Sequence, residues 1–485
     1  MLLDYIKILK ENLIVKKISE LFNSYWYLSF MAVISLVSEI FGLELMTYYI
    51  VMSVVILGTL MAKDGTYLIA PLMYMYVTFS RINNKAQSGG ETLFDNPSFY
   101  HQFMIIVGVL SVMLVIRFLY SILIQKNYKK PKLAWGLLAL TVTYVLGGLF
   151  TEYYSLQTVL FGLLEAGAIV VPYFLVLYSI DFKEMKNDYL AWALTIFGFM
   201  MVITLIEVHI YAFSVDVPGV PIKSFFLTGW GIHNNIGGAL IIAMAGPIYF
   251  VFSKRKMTWL FVAFEALFCL GAIFSQSRNA IVVGLLAFIA SMFLQAFFAE
   301  EDNKVPNAIA YLCSVIGYGI IAFVLKDLTI AVFEGVMKSL ERGSANAVSS
   351  DRLRIWEDAI KEQFIPHPVL GVGFYEANLV RVGTRTILPA RYHNTIIQLL
   401  ASTGVVGLIA YLFHRIQTIF LFKKMNPMSW MGLAFILILI GSSLLDCHLY
   451  NIGPAIQYGV VLAILEGFLH QDNQEVITEL NEERI

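Results

Sequence analysis

The chain has 485 residues, of which 59% are hydrophobic and 14% charged, with a formal net charge of -1. Its mean hydropathy of +0.74 is more than a soluble globule carries, and only a membrane interior absorbs that much apolar surface. The near-neutral balance offers no basic stripe for nucleic acid, and Cys269, Cys313 and Cys447 lie in apolar runs without metal-ligand or redox spacing, as small hydrophobes do.

The expected fold is therefore all-α: a polytopic transmembrane helical bundle of about 12–14 spans, with one long external loop containing short surface helices. Residues 1–24 carry Lys7, Lys10, Lys16 and Lys17 among leucines and isoleucines, and lack a short apolar core followed by a small-residue cleavage site. They are expected to stay attached as a cytoplasmic amphipathic N-terminus. A transmembrane bundle follows over 25–325, with apolar runs at 25–43, 45–61, 66–80, 101–123, 133–150, 157–180, 189–213, 232–252, 257–275, 279–299 and 307–325. The external loop takes 326–392, the C-terminal transmembrane helices 393–469 (runs at 394–421, 428–446 and 452–469), and a cytoplasmic tail 470–485.

Short loops rich in Lys and Arg stay in the cytoplasm, which tests this division. Alternate connections hold Lys63, then Lys126, Lys129, Lys130 and Lys132, then Lys183 and Lys186, then Lys254, Arg255 and Lys256, then Lys304, then Lys423 and Lys424. The opposite set holds Arg81 and Lys85, Lys223, Arg278 and the long connection. An even number of spans with both termini cytoplasmic satisfies the pattern, and merging the short pair 45–61 and 66–80 spoils it.

Within 326–392, Ser349, Ser350 or Asp351 can cap a helix whose Leu353, Trp356, Ile360 and Phe364 recur at helical spacing before Pro366 and Pro368. Thr329 to Leu340 is apolar on one side and reads as a second surface or half-inserted helix. After Gly371 and Gly373, the segment Leu379–Asn394 holds Arg381, Arg385, Arg391 and His393 and no acid.

Each candidate residue also has a bland reading. Arg278, in Ser277-Arg278-Asn279-Ala280 at the outer start of a span, could be an interfacial anchor, or a charge held there for a substrate. A lone histidine at a helix start, such as His393, is commonly structural, although it can take a proton near neutral pH. Arg352 and Arg354 point to different sides of their helix, so only one of them faces a shared cleft. Asn234 and Asn235 precede Gly237 and Gly238, a pair that favours close helix packing over ligand contact. Asp446 and His448, two apart, do not share a face and make a poor catalytic pair. There is no Gly-rich loop ending in Gly-Lys-Ser/Thr, no His-Glu-x-x-His and no Asp-x-Asp.

Ser277-Arg278-Asn279-Ala280, then Arg352-Leu-Arg-Ile-Trp356, then His367-Pro-Val-Leu-Gly-Val-Gly373, then His393-Asn394 with Gly404 and Gly407, resemble the O-antigen ligase and polymerase family. The likeness is strongest from about Trp230 to Leu421, and Asn279 departs from it where a small residue commonly follows the arginine. The resemblance implies an all-helical, metal-independent glycosyltransferase of the bacterial cytoplasmic membrane, without a cofactor. Such an enzyme transfers a glycan from undecaprenyl diphosphate to an acceptor glycan on the outer face, with the lipid bilayer, a flippase and a chain-length regulator as partners. In that reading His393, Arg278 and Arg352 are catalytic, and Arg354, Arg385, Arg391, Asn394 and Asn235 bind substrate. Arginine suits a diphosphate because it binds phosphate oxygens bidentately without losing its proton. His393 is the candidate base, with phosphate contact as its other role. The sequence leans slightly to polymerase over ligase. Competing readings are a glycolipid or drug transporter and a peptidoglycan-type glycosyltransferase using an external acid, for which Glu376 is the late-loop candidate.

Overall fold

In the computed structural model the described residues are 13–74, 97–127, 129–215, 233–327, 329–330, 333, 349–377, 380–382, 385–387 and 392–482. They form an all-α polytopic membrane bundle. Its helices are α1 (Leu13–Phe22), α2 (Tyr25–Phe41), α3 (Glu44–Met61), α4 (Pro97–Leu119), α5 (Ala134–Leu146), α6 (Leu156–Ser179), α7 (Tyr189–Val215), α8 (His233–Ala243) and α9 (Ala245–Val251). They continue with α10 (Trp259–Phe274), α11 (Arg278–Phe298), α12 (Glu301–Val324), α13 (Ser349–Asp358), α14 (Gly373–Ala377), α15 (Thr395–Ile419), α16 (Pro427–Leu445) and α17 (Ile452–Glu482).

Among the described residues, ten helices, with α8 and α9 counted as one, are long and apolar enough to cross a membrane, or eleven if α1 and α2, bent by 62°, count as one span. α5 and α10 are apolar but shorter. Several starts use the polar residue that satisfies orphan first-turn N–H groups: Ser24 for α2, Ser155 for α6, Ser277 for α11, Asn394 for α15 and Asn426 before Pro427 for α16.

Hydrogen bonds divide the bundle into two polar ends. At one end, buried Arg117 donates to the carbonyls of Ala62, Lys63 and Ser179, Lys129 to those of Leu177 and Ile180, and Asn303 to those of Ser253 and Arg255. Arg255 pairs there with Asp188. The lysine-bearing connections named above thus cluster on one side. The opposite end carries Arg278, Arg352 and His393.

That opposite end is built around a broken helix. Gly404, inside α15, has φ 61° and ψ -159°, which interrupts the hydrogen-bond ladder. The segment 367–373 fills the break: the N–H groups of Val405 and Val406 donate to the carbonyls of Pro368 and Val369 at 2.9 and 3.2 Å, and Val372 N–H donates to Ala401 O at 2.9 Å. Gly148 N–H, in the turn after α5, donates to Leu370 O at 2.8 Å. Backbone groups freed at membrane depth are tolerated only when other protein groups re-satisfy them in this way.

α13 begins at Ser349, so that Ser349, Ser350 and Asp351 form its first turn instead of preceding it as a cap, and it gives way to a π-turn over Ala359–Phe364. Its indole anchors it: Trp356 Nε1 donates to Tyr392 O at 2.6 Å. The departure from helix is an antiparallel hairpin, Val380–Val382 with Arg385–Ile387, in the stretch read as a cationic strip. Alternating β-branched residues around Gly383-Thr384 favour such a ribbon. Most of the expected helix 329–340, Arg391, and the side chains of Arg354 and Arg385 lie outside the described residues.

Candidate active site at the end of α16

The organising element is the C-terminus of α16. A helix leaves its last carbonyls without intrahelical partners and presents partial negative charge there. Three side chains from three distant segments converge there, two of them on carbonyls without an intrahelical partner and the third on Ser442 O, which also accepts the Asp446 N–H. Arg352 Nη1, from α13, donates to Leu445 O at 3.0 Å. Asn394 Nδ2 donates to Leu444 O at 3.0 Å. Asn279 Nδ2, from the first turn of α11, donates to Ser442 O at 2.9 Å. Each of the three is or adjoins a residue singled out in the sequence.

Asp446 caps the same helix, and its Oδ1 lies 2.9 Å from His393 Nδ1. The Cys447 N–H donates to the same oxygen at 2.8 Å. Burial works to raise the Asp446 carboxyl, but the His393 bond, the neighbouring His448 and the Cys447 N–H together hold it well below the usual carboxylate range. An ionised carboxylate only accepts, so His393 Nδ1 is the donor, which in the neutral tautomer leaves the lone pair on Nε2. The His393 side chain is 39% exposed and the Asp446 side chain 11%: a half-open imidazole on a nearly closed carboxylate.

Backbone conformation holds this ring in place. His393 has φ 54° and Gln276, two residues before Arg278, has φ 58°. Non-glycine residues enter this region rarely and at a cost, and they cluster at functional sites. Asn394 Oδ1 then accepts the N–H groups of Ile396 and Ile397, fixing the helix that follows His393.

Arg278 and Arg352 lie within electrostatic reach of each other, two cations on one rim. Arg278 opens α11, so the helix dipole adds positive potential at the same place. α8 abuts from the side: a Cβ on Gly238 would lie 2.4 Å from the His448 ring, and one on Gly237 2.5 Å from Ser275 Oγ. The glycine pair thus packs, and half-buried Asn235 stands just above it. Glu376, in α14, acts electrostatically on Tyr392, next to His393. Among the described residues, no three His, Cys, Asp or Glu side chains converge so as to hold a metal ion.

Residues 263–412 match a family model described as O-antigen ligase. This stretch is an O-antigen ligase family domain. The match runs from α10 through most of α15 and so includes Arg278, Arg352 and His393. No curated protein matches the chain. Together with the ten apolar helices among the described residues, the match supports a multi-pass membrane protein of O-antigen ligase-type polysaccharide biosynthesis. Asp446 stands outside the matched stretch, 53 residues beyond its histidine. Setting Asp446 against His448 as a pair overlooked that its partner comes from another element. The available signal was an acid at a span end on the side of Arg278 and His393.

Proposed function

We propose that the chain is a metal-independent glycosyltransferase, with both termini cytoplasmic, that transfers a glycan from undecaprenyl diphosphate to an acceptor sugar on the outer face of the bacterial cytoplasmic membrane. The observation that carries this reading is the pairing of His393 with Asp446 beside the two guanidinium groups of Arg278 and Arg352. His393 Nε2 takes the proton of the acceptor hydroxyl as its oxygen bonds to the donor's anomeric carbon. The bond from that carbon to the diphosphate oxygen breaks, and the departing electron pair stays on the diphosphate. Asp446 fixes the tautomer and stabilises the imidazolium that forms, as a carboxylate behind a histidine base does. Arg278 and Arg352 stabilise the developing charge with the help of the α11 N-terminus. Asn394, Asn235, Arg354, Arg385 and Arg391 belong to the substrate-binding rim in this proposal, and a flippase and a chain-length regulator are its expected partners.

The test replaces His393 and, separately, Arg278 with alanine in cells that display the polysaccharide, with protein levels matched. Loss of transferred glycan in both is expected, at about 10²–10⁴-fold for removal of the base. Unchanged glycan length distributions in both would defeat the enzyme reading and return the chain to the transporter class.

A further inference from the structure

A groove with a volume of about 260 Å³ runs along the membrane face of the bundle between α11 and α16 and is floored by α9. Val283, Ala287, Ala290 and Leu294 form one wall and Trp430, Ala434 and Gly441 belong to the other. Its rims are open to the bilayer, with Leu286 61% and Leu437 57% exposed. Ser291 is the one hydroxyl among the lining residues, and its Oγ is already engaged by Glu265 and Tyr311.

The position of this groove matters more than its apolarity. Its two walls are the two helices whose ends make the candidate site: α11 starts at Arg278 and α16 ends at Asp446. The uppermost lining residues, Val283 and Gly441, are each five residues from those ends, about 7 Å below the rim at ~1.5 Å per residue. From there the groove descends to Leu294 and Trp430, a further ~16 Å by the same rise.

We infer that this groove holds the isoprenoid chain of the lipid-linked donor, with the diphosphate at Arg278. The inference rests on the function proposed above. An anionic headgroup on the cationic rim and an apolar chain hanging from it match a cationic mouth continuous with an apolar channel. The small residues Ala287, Ala290, Ala434 and Gly441 leave room for a methyl-branched chain where larger side chains would close the walls together. Occupancy there places the anomeric carbon beside His393, because headgroup and chain are fixed by the same pair of helices.

Photolabelling tests this in nanodiscs, with undecaprenyl diphosphate bearing a diazirine in its chain as the probe. Label is expected within 283–294 or 430–441, displaced by unlabelled undecaprenyl diphosphate and undiminished by excess phosphatidylglycerol. Filling the groove with Gly441→Leu is expected to lower labelling at least about fivefold. A Cβ at that position meets Val283 only at ordinary contact distance, 3.7 Å. Ala434→Leu gives a second filling variant deeper down. Label found elsewhere, label displaced equally by phosphatidylglycerol, or full labelling in both filled variants overturns the inference. His393→Ala separates the two readings: it should label like the unaltered chain while transferring nothing. Label in the groove together with undiminished glycan transfer by His393→Ala defeats the function and leaves the groove standing.

Discussion

Asn279 donates its amide to Ser442 O, and that one bond fastens the turn carrying Arg278 to the helix that ends in Asp446. Asn279 is where the sequence departs from the resemblance described above, and the bond gives that asparagine a structural role. Asn279→Ala is expected to lower stability by about 0.5–1 kcal/mol, the net worth of one such bond between membrane helices, read as a lower midpoint of thermal unfolding in detergent. Asp446→Asn tests the proposed relay. It keeps the shape and removes the charge that selects the histidine tautomer, so kcat should fall at least about tenfold with the donor KM nearly unchanged. A fall confined to KM would assign Asp446 to substrate binding. His448 supplies a pH dependence. Burial against Gly238 lowers its pKa, with Asp446 acting the other way and His393 acting with burial. A depressed folded value means that the unfolded chain takes the proton first. His448 thus contributes fully above its ordinary value, about 6.5, and the contribution is lost as pH falls through the lower folded value. The unfolding midpoint should drop between about pH 7.5 and 5.5, and His448→Gln should flatten that slope.

At the scale of elements, the break in α15 explains both what the sequence displays and what it hides. Apolar length is a strong local signal, so most spans can be placed from hydropathy alone, and the start of α13 is visible as Ser349-Ser350-Asp351 before a periodic apolar face. The run 394–421 nevertheless reads as one uninterrupted helix, because the groups that compensate its break, the carbonyls of Pro368 and Val369, come from a different segment. The meeting of His393 with Asp446 is hidden for the same reason: tertiary contact, not spacing, makes it. Gly404 is the residue on which the break depends. A Cβ there would lie 2.4 Å from the Val369 carbonyl carbon, and its φ of +61° disfavours any side chain. Gly404→Leu is therefore expected to abolish accumulation of folded protein, because it expels the 367–373 segment from the helix break. Gly319, whose added Cβ meets nothing within 4 Å, should accept leucine with little effect, and the pair can be compared by fluorescence-detected size exclusion. Equal peak heights for the two variants would show that the 367–373 segment does not need the break.

For the whole molecule, the question is which polar end faces the cytoplasm. Lysines crowd the end where Arg117, Lys129 and Arg255 cap carbonyls or pair with Asp188, while the opposite end carries Arg278, Arg352 and His393. Translocating Lys-rich short loops is unfavourable, and the membrane potential adds about 2.3 kcal/mol per charge per 100 mV against it. A donor diphosphate presented on the outer face needs its cations there, so sidedness and chemistry make the same demand through unrelated physics. Single cysteines at exposed positions test it, in a background with Cys313, an exposed native thiol, changed to serine. Leu353→Cys, beside Arg352 and 60% exposed, should react in intact spheroplasts with a membrane-impermeant maleimide. Lys183→Cys, in the connection between α6 and α7, should react only after the membrane is permeabilised. The reverse pattern would put the Arg278 and Arg352 rim in the cytoplasm, and the proposed transfer from a lipid-linked glycan already translocated would then fail.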